Sequence, residues 1–336
     1  MKVLKNISLL NYNTFGVDVD ADYLIEYFSV ADLLEILQLQ IVKTNPVLQI
    51  GSGSNLLFLN NFNGVILHSQ IKTLDKICED EQNVIIEVGS GVAWDDFVQY
   101  AVANGWGGVE NLSLIPGEVG ASAVQNIGAY GVEVKDFIEK VIAVELKTLK
   151  IREFLNSQCA YGYRKSIFKN ELKGQYIITS VVFQLQKNPV YNLSYHNIEN
   201  AVKNRGEMNL ENIRQTIISI REEKLPDPRI TGNAGSFFMN PVISKQHFKK
   251  LQTQYPDIPH YFVSETEEKV PAAWLIDQCG WKGKQLGNAA VHDQQALVLV
   301  NKGGATGAEI AFLANQIQLS VIEKFGVELI PEVNFI

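Results

Sequence analysis

Apolar residues along the chain recur at two spacings, which predicts a mixed architecture of strands and helices. Residues 84–88 (VIIEV) read as a strand, and directly after them Trp94, Phe97, Val98 and Ala101 share one face of a helix. A strand followed by an amphipathic helix is typical of an α+β protein, in which a sheet buries one face against helices.

The same patterns predict further elements and a domain boundary. Strands are expected over 141–146 and 176–185, and helices over 29–40, over 207–223 and after a capping box of Thr306 and Glu309. Pro226 and Pro228 must end the helix over 207–223, because proline removes a donor and restricts the residue before it. A domain boundary is therefore expected near 205–230.

Length and composition limit the class of protein. The chain has 336 residues, of which 46% are hydrophobic and 20% charged, so two or three globular domains are expected. A net charge of -8 argues against nucleic-acid binding, although a local basic pocket could still hold an anion. No apolar run is long enough for a signal core or a membrane span, so no membrane association is expected.

Cysteine and histidine usage adds two further expectations. The three cysteines have no paired spacing, which predicts a reducing compartment, and the protein is expected in the cytoplasm. The five histidines form no i, i+4 pair and no cluster with the cysteines, so no metal site is expected.

One segment has the composition of a site more than of an ordinary element. Residues 231–241 (TGNAGSFFMNP) set Ser236 between backbone-permissive glycines and the aromatic pair Phe237 and Phe238. The glycines allow a ligand to approach the main chain, and the aromatics can anchor the segment beside a core. A tight turn before an edge strand explains the segment equally well.

Two glycine-rich stretches suggest a bound nucleotide cofactor. Residues 51–55 (GSGSN) follow an apolar run and offer amides and hydroxyls to a phosphate or a flavin edge. In the stretch 115–131, Gly120 could begin a short helix whose amides face a pyrophosphate. A simple turn remains the alternative for the first stretch, and close packing between layers remains the alternative for the second.

Five strings, in order along nearly the whole chain, carry a resemblance to a known family. They are residues 51–55 (GSGSN), 115–117 (IPG), 125–131 (QNIGAYG), 232–238 (GNAGSFF) and 331–333 (PEV). Together they resemble the UDP-N-acetylenolpyruvoylglucosamine reductases, flavoenzymes that make UDP-N-acetylmuramate, in the longer form with a tyrosine-bearing substrate loop, here 191–195 (YNLSY).

The resemblance implies an α+β fold with a two-part FAD-binding module of the PCMH/vanillyl-alcohol-oxidase type and a third, α+β substrate-binding domain. The divisions expected are residues 1–68, to which 326–336 return, 69–213, and 214–325. FAD would be bound and NADPH would be the cosubstrate. We expect a monomer that acts on a small molecule.

The resemblance also implies the residues that carry the reaction. Hydride would come from N5 of reduced FAD, Ser236 would donate the proton, and Arg164 and Glu332 would stabilise the enolate. Arg164 can grip a carboxylate with a planar fork that lysine lacks. Glu332 is expected to hold or share a proton, since like charges disfavour ionisation.

Binding residues follow from the same motifs. Those expected to hold the cofactor are Gly51, Ser52, Gly53, Ser54, Asn55, Pro116, Gly117, Gly120, Ala121, Ser122, Asn126 and Gly128. Those expected to hold the substrate are Tyr195, Lys224, Asn233, Tyr261 and Gln295. Asn334 departs from the family, in which an arginine commonly stands, and this removes one cation.

Two other functions remain open. The chain could be a different oxidoreductase on the same FAD-binding fold, acting on a hydroxy acid or a sugar, or a sensor that binds a nucleotide sugar without turnover. The segment 232–241 and Glu332 argue against the first alternative. Arg164, Ser236 and Glu332, all present, argue against the second.

Overall fold

The structure is a computed structural model, and it describes residues 1–195 and 198–336. Its strands are β1 (Lys2–Ser8), β2 (Asp20–Tyr27), β3 (Val47–Ile50), β4 (Leu56–Leu57), β5 (Phe62–Ser69), β6 (Leu74–Glu79), β7 (Asn83–Gly89), β8 (Gly128–Ala129), β9 (Val132–Glu133), β10 (Ile138–Glu145), β11 (Ile151–Leu155), β12 (Tyr176–Gln186), β13 (Gly232–Ser236), β14 (Val242–Ser244), β15 (Tyr261–Ser264), β16 (Glu267–Lys269), β17 (Gln285–Leu286), β18 (Ala289–Val291), β19 (Val298–Asn301) and β20 (Asn334–Phe335). Its helices are α1 (Val30–Ile36), α2 (Gln40–Thr44), α3 (Trp94–Ala103), α4 (Val119–Gln125), α5 (Ile198–Arg205), α6 (Leu210–Lys224), α7 (Lys245–Gln254), α8 (Ala272–Gln278) and α9 (Gly307–Phe325).

The chain forms two compact units, each assembled from several segments. The first unit contains Met1–Ile7, Ala21–Ser52 and Asn63–Glu223. The second unit contains Ser8–Asp20, Gly53–Phe62 and Lys224–Ile336. Parts of the glycine-rich stretch 51–55 therefore belong to different units. The division at 68, 213 and 325 stays a prediction.

The first unit contains two larger sheets. One has the strand order β1-β2-β5-β3, and the other has the order β11-β10-β12-β7-β6. The face of α3 that the sequence predicts is buried: the ring centroid of Phe97 lies 5.6 Å from that of Trp94 and 4.6 Å from that of Phe183 in β12. The prediction of a strand followed by a packed helix is confirmed.

The second unit contains a sheet of order β13-β19-β18-β17, a smaller sheet of order β14-β16-β15, and the parallel pair β20-β4. Helix α9 begins with the predicted capping box, in which Thr306 and Glu309 each accept from the other's backbone amide. Its predicted apolar face, which includes Ile310 and Ile317, is buried. Local capping and the helical period were sufficient to predict this element.

The predicted helix over 29–40 is wrong in its second half. Ser29 caps α1 as expected, by accepting from the amide of Asp32, but α1 ends at Ile36. Leu39 is extended and precedes α2, which starts at Gln40. The apolar period continues through the break because both short helices bury residues in the same core cluster.

A buried carboxyl in the first unit leads to a prediction about pH and stability. Glu110 is 3% exposed and accepts from the amide of Gly108. Burial raises the pKa of Glu110, so its contribution to stability is full below the unfolded carboxyl pKa and is lost as pH rises through the folded pKa. We expect Glu110→Gln to avoid that loss and to unfold at higher urea concentration than the parent at about pH 8, with a smaller difference at about pH 5.

Glu309 supplies a control, because its pKa is shifted in the opposite direction to that of Glu110. The hydrogen bond from the Thr306 amide lowers the pKa of Glu309, so its contribution is present at neutral pH and is lost as pH falls through the folded pKa. Glu309→Gln should therefore lose stability at about pH 8. Equal effects of Glu110→Gln at both pH values would contradict the assignment.

Candidate functional site

Ser236 ends the edge strand β13 of the second unit. The strand pairs with β19, and its register shifts between Asn233 and Ser236. Gly235 lies within the irregular stretch with φ +67°, a left-handed conformation that favours glycine. Ser236 is exposed. The segment is thus an irregular edge strand that leaves Ser236 exposed, and its use as a site stays a prediction.

The two aromatics after Ser236 are anchors, as predicted. Phe237 and Phe238 are buried, and their ring centroids lie 5.1 Å apart. Phe237 also meets the ring of Phe15 at 6.1 Å and that of Phe335 at 6.1 Å. The exposed serine is thus attached directly to the core of the second unit, which limits its movement.

Glu332 lies next to this segment. Its amide donates to the carbonyl of Phe237 at 2.8 Å, and Pro331 forms a bridge with Phe238. On the other side, the side-chain amide of Asn55 donates to the carbonyl of Glu332 at 3.2 Å. The structure therefore brings together Ser236, Glu332 and one end of the glycine-rich stretch, all within the second unit.

The second-unit part of that stretch, 53–55, is packed against backbone. A Cβ on Gly53 would stand 2.1 Å from the carbonyl oxygen of Tyr12, and Gly53 has φ +67°. Its own carbonyl accepts from the amide of Thr14 at 3.3 Å. Glycine is required here by close approach and by conformation, so the loop geometry is specific. Ser54 is half-buried.

In the first unit, Gly51 lies next to the half-buried side chain of Glu118. The carboxyl of Glu118 would be 3.1 Å from a Cβ on Gly51, and His68 Nε2 lies 2.9 Å from Glu118 Oε1. Burial raises the pKa of Glu118, and its hydrogen bond with His68 partly offsets this. The hydroxyl oxygen of Ser52 is buried and has no hydrogen-bond partner within 1–195 and 198–336.

The second glycine-rich stretch forms the predicted short helix, α4. Its first amides are already used, because Val119 donates to the Val92 carbonyl at 2.9 Å and Gly120 donates to the Ser90 carbonyl at 3.0 Å. A Cβ on Gly120 would be 2.8 Å from the Ser90 Cβ, so the packing alternative accounts for this glycine. A pyrophosphate contact from the remaining amides stays a prediction.

The other cofactor candidates of this stretch differ in their surroundings. Gly117 accepts from the amide of Trp94, and Ser122 donates to the Val119 carbonyl of its own helix. Asn126 is buried and ties two loops together, since it donates to the Gly162 carbonyl and accepts from the Lys135 amide. Two further candidates, Pro116 and Ala121, are exposed.

Arg164 is held at a turn of the first unit. Gly162 and Lys165 exchange two backbone hydrogen bonds around it, and Arg164 itself has φ +56°. Backbone conformations of this kind in a non-glycine residue are concentrated at functional sites. The guanidinium donates to the carbonyls of Gly128 at 2.7 Å and Asn126 at 3.3 Å, so its orientation is fixed by the end of α4.

Two residues near Arg164 were missed by the sequence analysis. Arg221 donates to the Leu114 carbonyl at 3.3 Å, and its guanidinium lies near the phenol of Tyr130. Burial lowers the pKa of Arg221, which stays protonated, and the positive charge of Arg164 acts in the same direction. Tyr130 also meets the ring of Tyr195 edge-on at 5.8 Å. A cluster of two guanidiniums and two phenols thus forms in the first unit.

A signal for Arg221 was present in the helical period. Arg214 and Arg221 are one heptad apart and fall on the buried face of α6, beside Ile213 and Ile217. Arg214 is 5% exposed and forms a two-point ion pair with Asp95, at 2.7 and 2.8 Å. Arginines that share the helical spacing of the apolar residues indicate cations that are buried and paired.

The remaining substrate candidates lie apart within the second unit. Lys224 is exposed at the end of α6, and Tyr261 is exposed on β15. Asn233 is buried and holds its own loop, with side-chain bonds to the Pro226 and Thr231 carbonyls. Gln295 accepts from the Leu297 amide at 3.4 Å. Their substrate contacts stay predictions.

Neither a metal cluster nor a membrane-spanning helix is found in the part of the chain that the structure describes. No group of three or more His, Cys, Asp or Glu side chains there could hold an ion. No helix there combines the length and the apolar composition that a membrane crossing needs.

Comparison with known proteins gives matches over the whole chain. Residues 227–336 match the family model "UDP-N-acetylenolpyruvoylglucosamine reductase, C-terminal domain", and residues 21–148 match "FAD binding domain". A UDP-N-acetylenolpyruvoylglucosamine reductase of Bacteroides fragilis is 52% identical over 98% of both chains. One of Porphyromonas gingivalis is 48% identical over 100% of both.

Solved structures support the fold. The structure of UDP-N-acetylenolpyruvylglucosamine reductase from Thermus caldophilus aligns with TM-score 0.69 at 22% identity, covering 99% of this chain and 98% of that one. That of 6-hydroxy-D-nicotine oxidase from Arthrobacter nicotinovorans aligns with TM-score 0.55 at 13% identity, covering 97% and 86%. The predicted α+β fold with an FAD-binding module is confirmed.

Proposed function

The chain belongs to the UDP-N-acetylenolpyruvoylglucosamine reductase family, and from this we propose that it reduces the enolpyruvyl group of UDP-N-acetylglucosamine enolpyruvate to give UDP-N-acetylmuramate. NADPH supplies the electrons through FAD, and the product is a precursor of peptidoglycan. The enzyme works on a small soluble molecule in the cytoplasm and acts as a monomer.

The observation that carries the proposal is the hydrogen bond from the Glu332 amide to the Phe237 carbonyl, at 2.8 Å. It sets a carboxyl segment beside the exposed Ser236, so a proton donor and an acid lie in adjacent segments. A reduction of this alkene needs both, because charge develops on the carboxylate end while a proton is delivered to the neighbouring carbon.

The reaction adds a hydride to one alkene carbon and a proton to the other. FAD, when bound and reduced, supplies the hydride from N5. Ser236 gives its hydroxyl proton to the adjacent carbon and recovers one from solvent, to which it is exposed. Arg164, held by two carbonyls, binds the substrate carboxylate, and Arg164 and Glu332 together stabilise the enolate as charge accumulates.

The residues fit an FAD phosphate at one point in particular. The buried Ser52 hydroxyl has no hydrogen-bond partner among the described residues, and a buried donor of this kind needs an acceptor. A phosphate oxygen would supply that acceptor. The cofactor is held by the residues of 51–55, 116–117, 120–122, 126 and 128 named above. The module consists of residues 1–68, 326–336 and 69–213, and the substrate domain is 214–325.

Substrate recognition is assigned to Tyr195, Lys224, Asn233, Tyr261 and Gln295. Lys224 pairs with the diphosphate as a point charge, and Tyr195 presents an exposed ring in its loop. Asn334 provides no cation near Glu332, so more of the charge compensation falls on Arg164 and Lys224.

The test uses the purified protein. We expect a yellow protein with the absorbance of oxidised flavin, which consumes NADPH when the enolpyruvyl nucleotide sugar is added and forms the lactyl ether product. Turnover of a hydroxy acid or a sugar in place of this substrate would support the other oxidoreductase. Binding of the nucleotide sugar without NADPH consumption would support the sensor.

A further inference from the structure

The peptide of Glu332 is held from both sides in the second unit. Its N–H donates to the carbonyl of Phe237 at 2.8 Å, and its C=O accepts from the side-chain amide of Asn55 at 3.2 Å. The first bond ties Glu332 to the residue that follows Ser236. The second ties it to the glycine-rich loop assigned to the cofactor.

Asn55 is itself fixed by the chain that follows Glu332. The carbonyl of Asn55 accepts from the Asn334 amide at 3.0 Å and from the Asn334 side chain at 3.3 Å. Directly beyond, β4 and β20 pair in parallel, with Asn334 opposite Leu56. Asn55 therefore donates through its side chain and accepts through its backbone, and in both directions its partners lie in the segment that carries Glu332.

We propose that Asn55 is a positioning residue that holds Glu332 in register with the cofactor loop, an inference that rests on the proposed function. An amide suits this task because it is a neutral donor of the right length. The change Asn55→Asp would place a second acceptor against the Glu332 carbonyl, and Asn55→Ala would leave that carbonyl without this donor. In either case the bonds from Asn334 to the backbone carbonyl of residue 55 remain.

The expected consequence is a selective loss of rate. A misplacement of about 1 Å can cost about 10²-fold in a step that depends on geometry. We expect Asn55→Asp and Asn55→Ala to slow oxidation of the reduced flavin by the enolpyruvyl substrate by about 10- to 100-fold in rapid-mixing experiments. Both rates are compared per bound flavin, because Asn55 is also assigned to the cofactor. Reduction of that flavin by NADPH should be slowed less than its oxidation by the substrate, because reduction does not use Glu332.

Asn104→Ala is the matched control. The side-chain amide of Asn104 also donates to a backbone carbonyl, that of Tyr100 at 2.8 Å, but at the end of α3. Both half-reactions should be unchanged in this variant. The proposal would be overturned if the Asn55 variants lost both half-reactions. It would also be overturned if neither half-reaction changed by more than about twofold.

A double-mutant cycle tests whether Asn55 acts through Glu332. If it does, Asn55→Ala should add little to the effect of Glu332→Gln on the substrate step, because the residue being positioned has already lost its function. If the two effects multiply, Asn55 acts by another route and the proposal fails.

Hydrogen exchange supplies a readout that is independent of turnover. The FAD-loaded protein without substrate should show faster amide exchange over residues 326–336 in both Asn55 variants, and parent-like exchange in Asn104→Ala. Unchanged amide exchange over residues 326–336 in the Asn55 variants would contradict the inference. A parent enzyme that does not reduce the enolpyruvyl substrate would instead contradict the proposed function, and the exchange result would still report on the Asn55 contact.

Discussion

Ser236→Ala is expected to abolish reduction of the enolpyruvyl substrate while flavin reduction by NADPH stays nearly intact. General acid catalysis contributes about 10²- to 10⁴-fold, and no neighbouring group in the 232–238 segment can replace the hydroxyl. Rapid mixing of NADPH-reduced enzyme with the substrate measures this step directly.

The selectivity of the effect follows from the position of the side chain. Ser236 is exposed at the end of β13, and its hydroxyl does not carry the packing of the segment, which depends on the buried rings of Phe237 and Phe238. Removal of one exposed oxygen should therefore leave the fold and the flavin content unchanged. The loss should lie in the proton-transfer step alone.

Ser264→Ala is the matched control for this prediction. Ser264 lies on β15 in the same unit and bonds its hydroxyl to that of Thr266 at 3.2 Å. Its variant should keep both half-reactions. If Ser236→Ala slowed flavin reduction as much as substrate reduction, Ser236 would not be a dedicated proton donor.

The parts of the fold that the sequence predicted well are those with local causes. The capping box of Thr306 and Glu309, the buried face of α3 and the anchoring of Phe237 and Phe238 were each predicted from residues a few positions apart. The break between α1 and α2 was missed because the apolar period is the same across it. Period alone does not distinguish one long helix from two short ones.

The site was predictable in part. Its residue types were present in motifs, and the family resemblance suggested the roles proposed for them, but their surroundings depend on contacts distant in sequence. Glu332 is placed by bonds to Phe237 and Asn55, and Arg164 is oriented by carbonyls of Asn126 and Gly128. Such pairings are set by the whole tertiary structure.

The two arginines of α6 show a second limit of prediction from the sequence. Arg214 and Arg221 stood in phase with the apolar face of α6, so the burial of Arg214 and the half-buried position of Arg221 could have been expected from spacing. Their partners could not, since Asp95 and Tyr130 come from other elements of the first unit. Sequence patterns thus indicated that a charge is buried, and only the fold shows which group compensates it.

Gly53→Ala is the second change for which we expect a large effect, a loss of bound flavin together with a loss of stability. The added Cβ would stand 2.1 Å from the Tyr12 carbonyl oxygen and 2.7 Å from the Asn13 Cα. Both neighbours are backbone and cannot rotate away. In addition, the left-handed φ of +67° costs a residue that carries a Cβ about 1–2 kcal/mol.

Gly174→Ala separates these two causes. Gly174 has a similar φ of +73°, but a Cβ there would meet no atom within 4 Å. We expect this variant to lose about 1–2 kcal/mol from backbone conformation alone and to keep its flavin. Gly53→Ala should lose about 1–3 kcal/mol more, because overpacking forces the loop and the 12–13 backbone apart.

The ratio of flavin to protein absorbance and the urea unfolding midpoint measure the two outcomes. Gly53→Ala could instead retain flavin and have the same urea unfolding midpoint as Gly174→Ala. The loop would then tolerate displacement from Tyr12, and its geometry would not matter for cofactor binding. Loss of flavin in Gly53→Ala alone would tie cofactor binding to the close approach of two backbone segments, since the conformational strain is common to both variants.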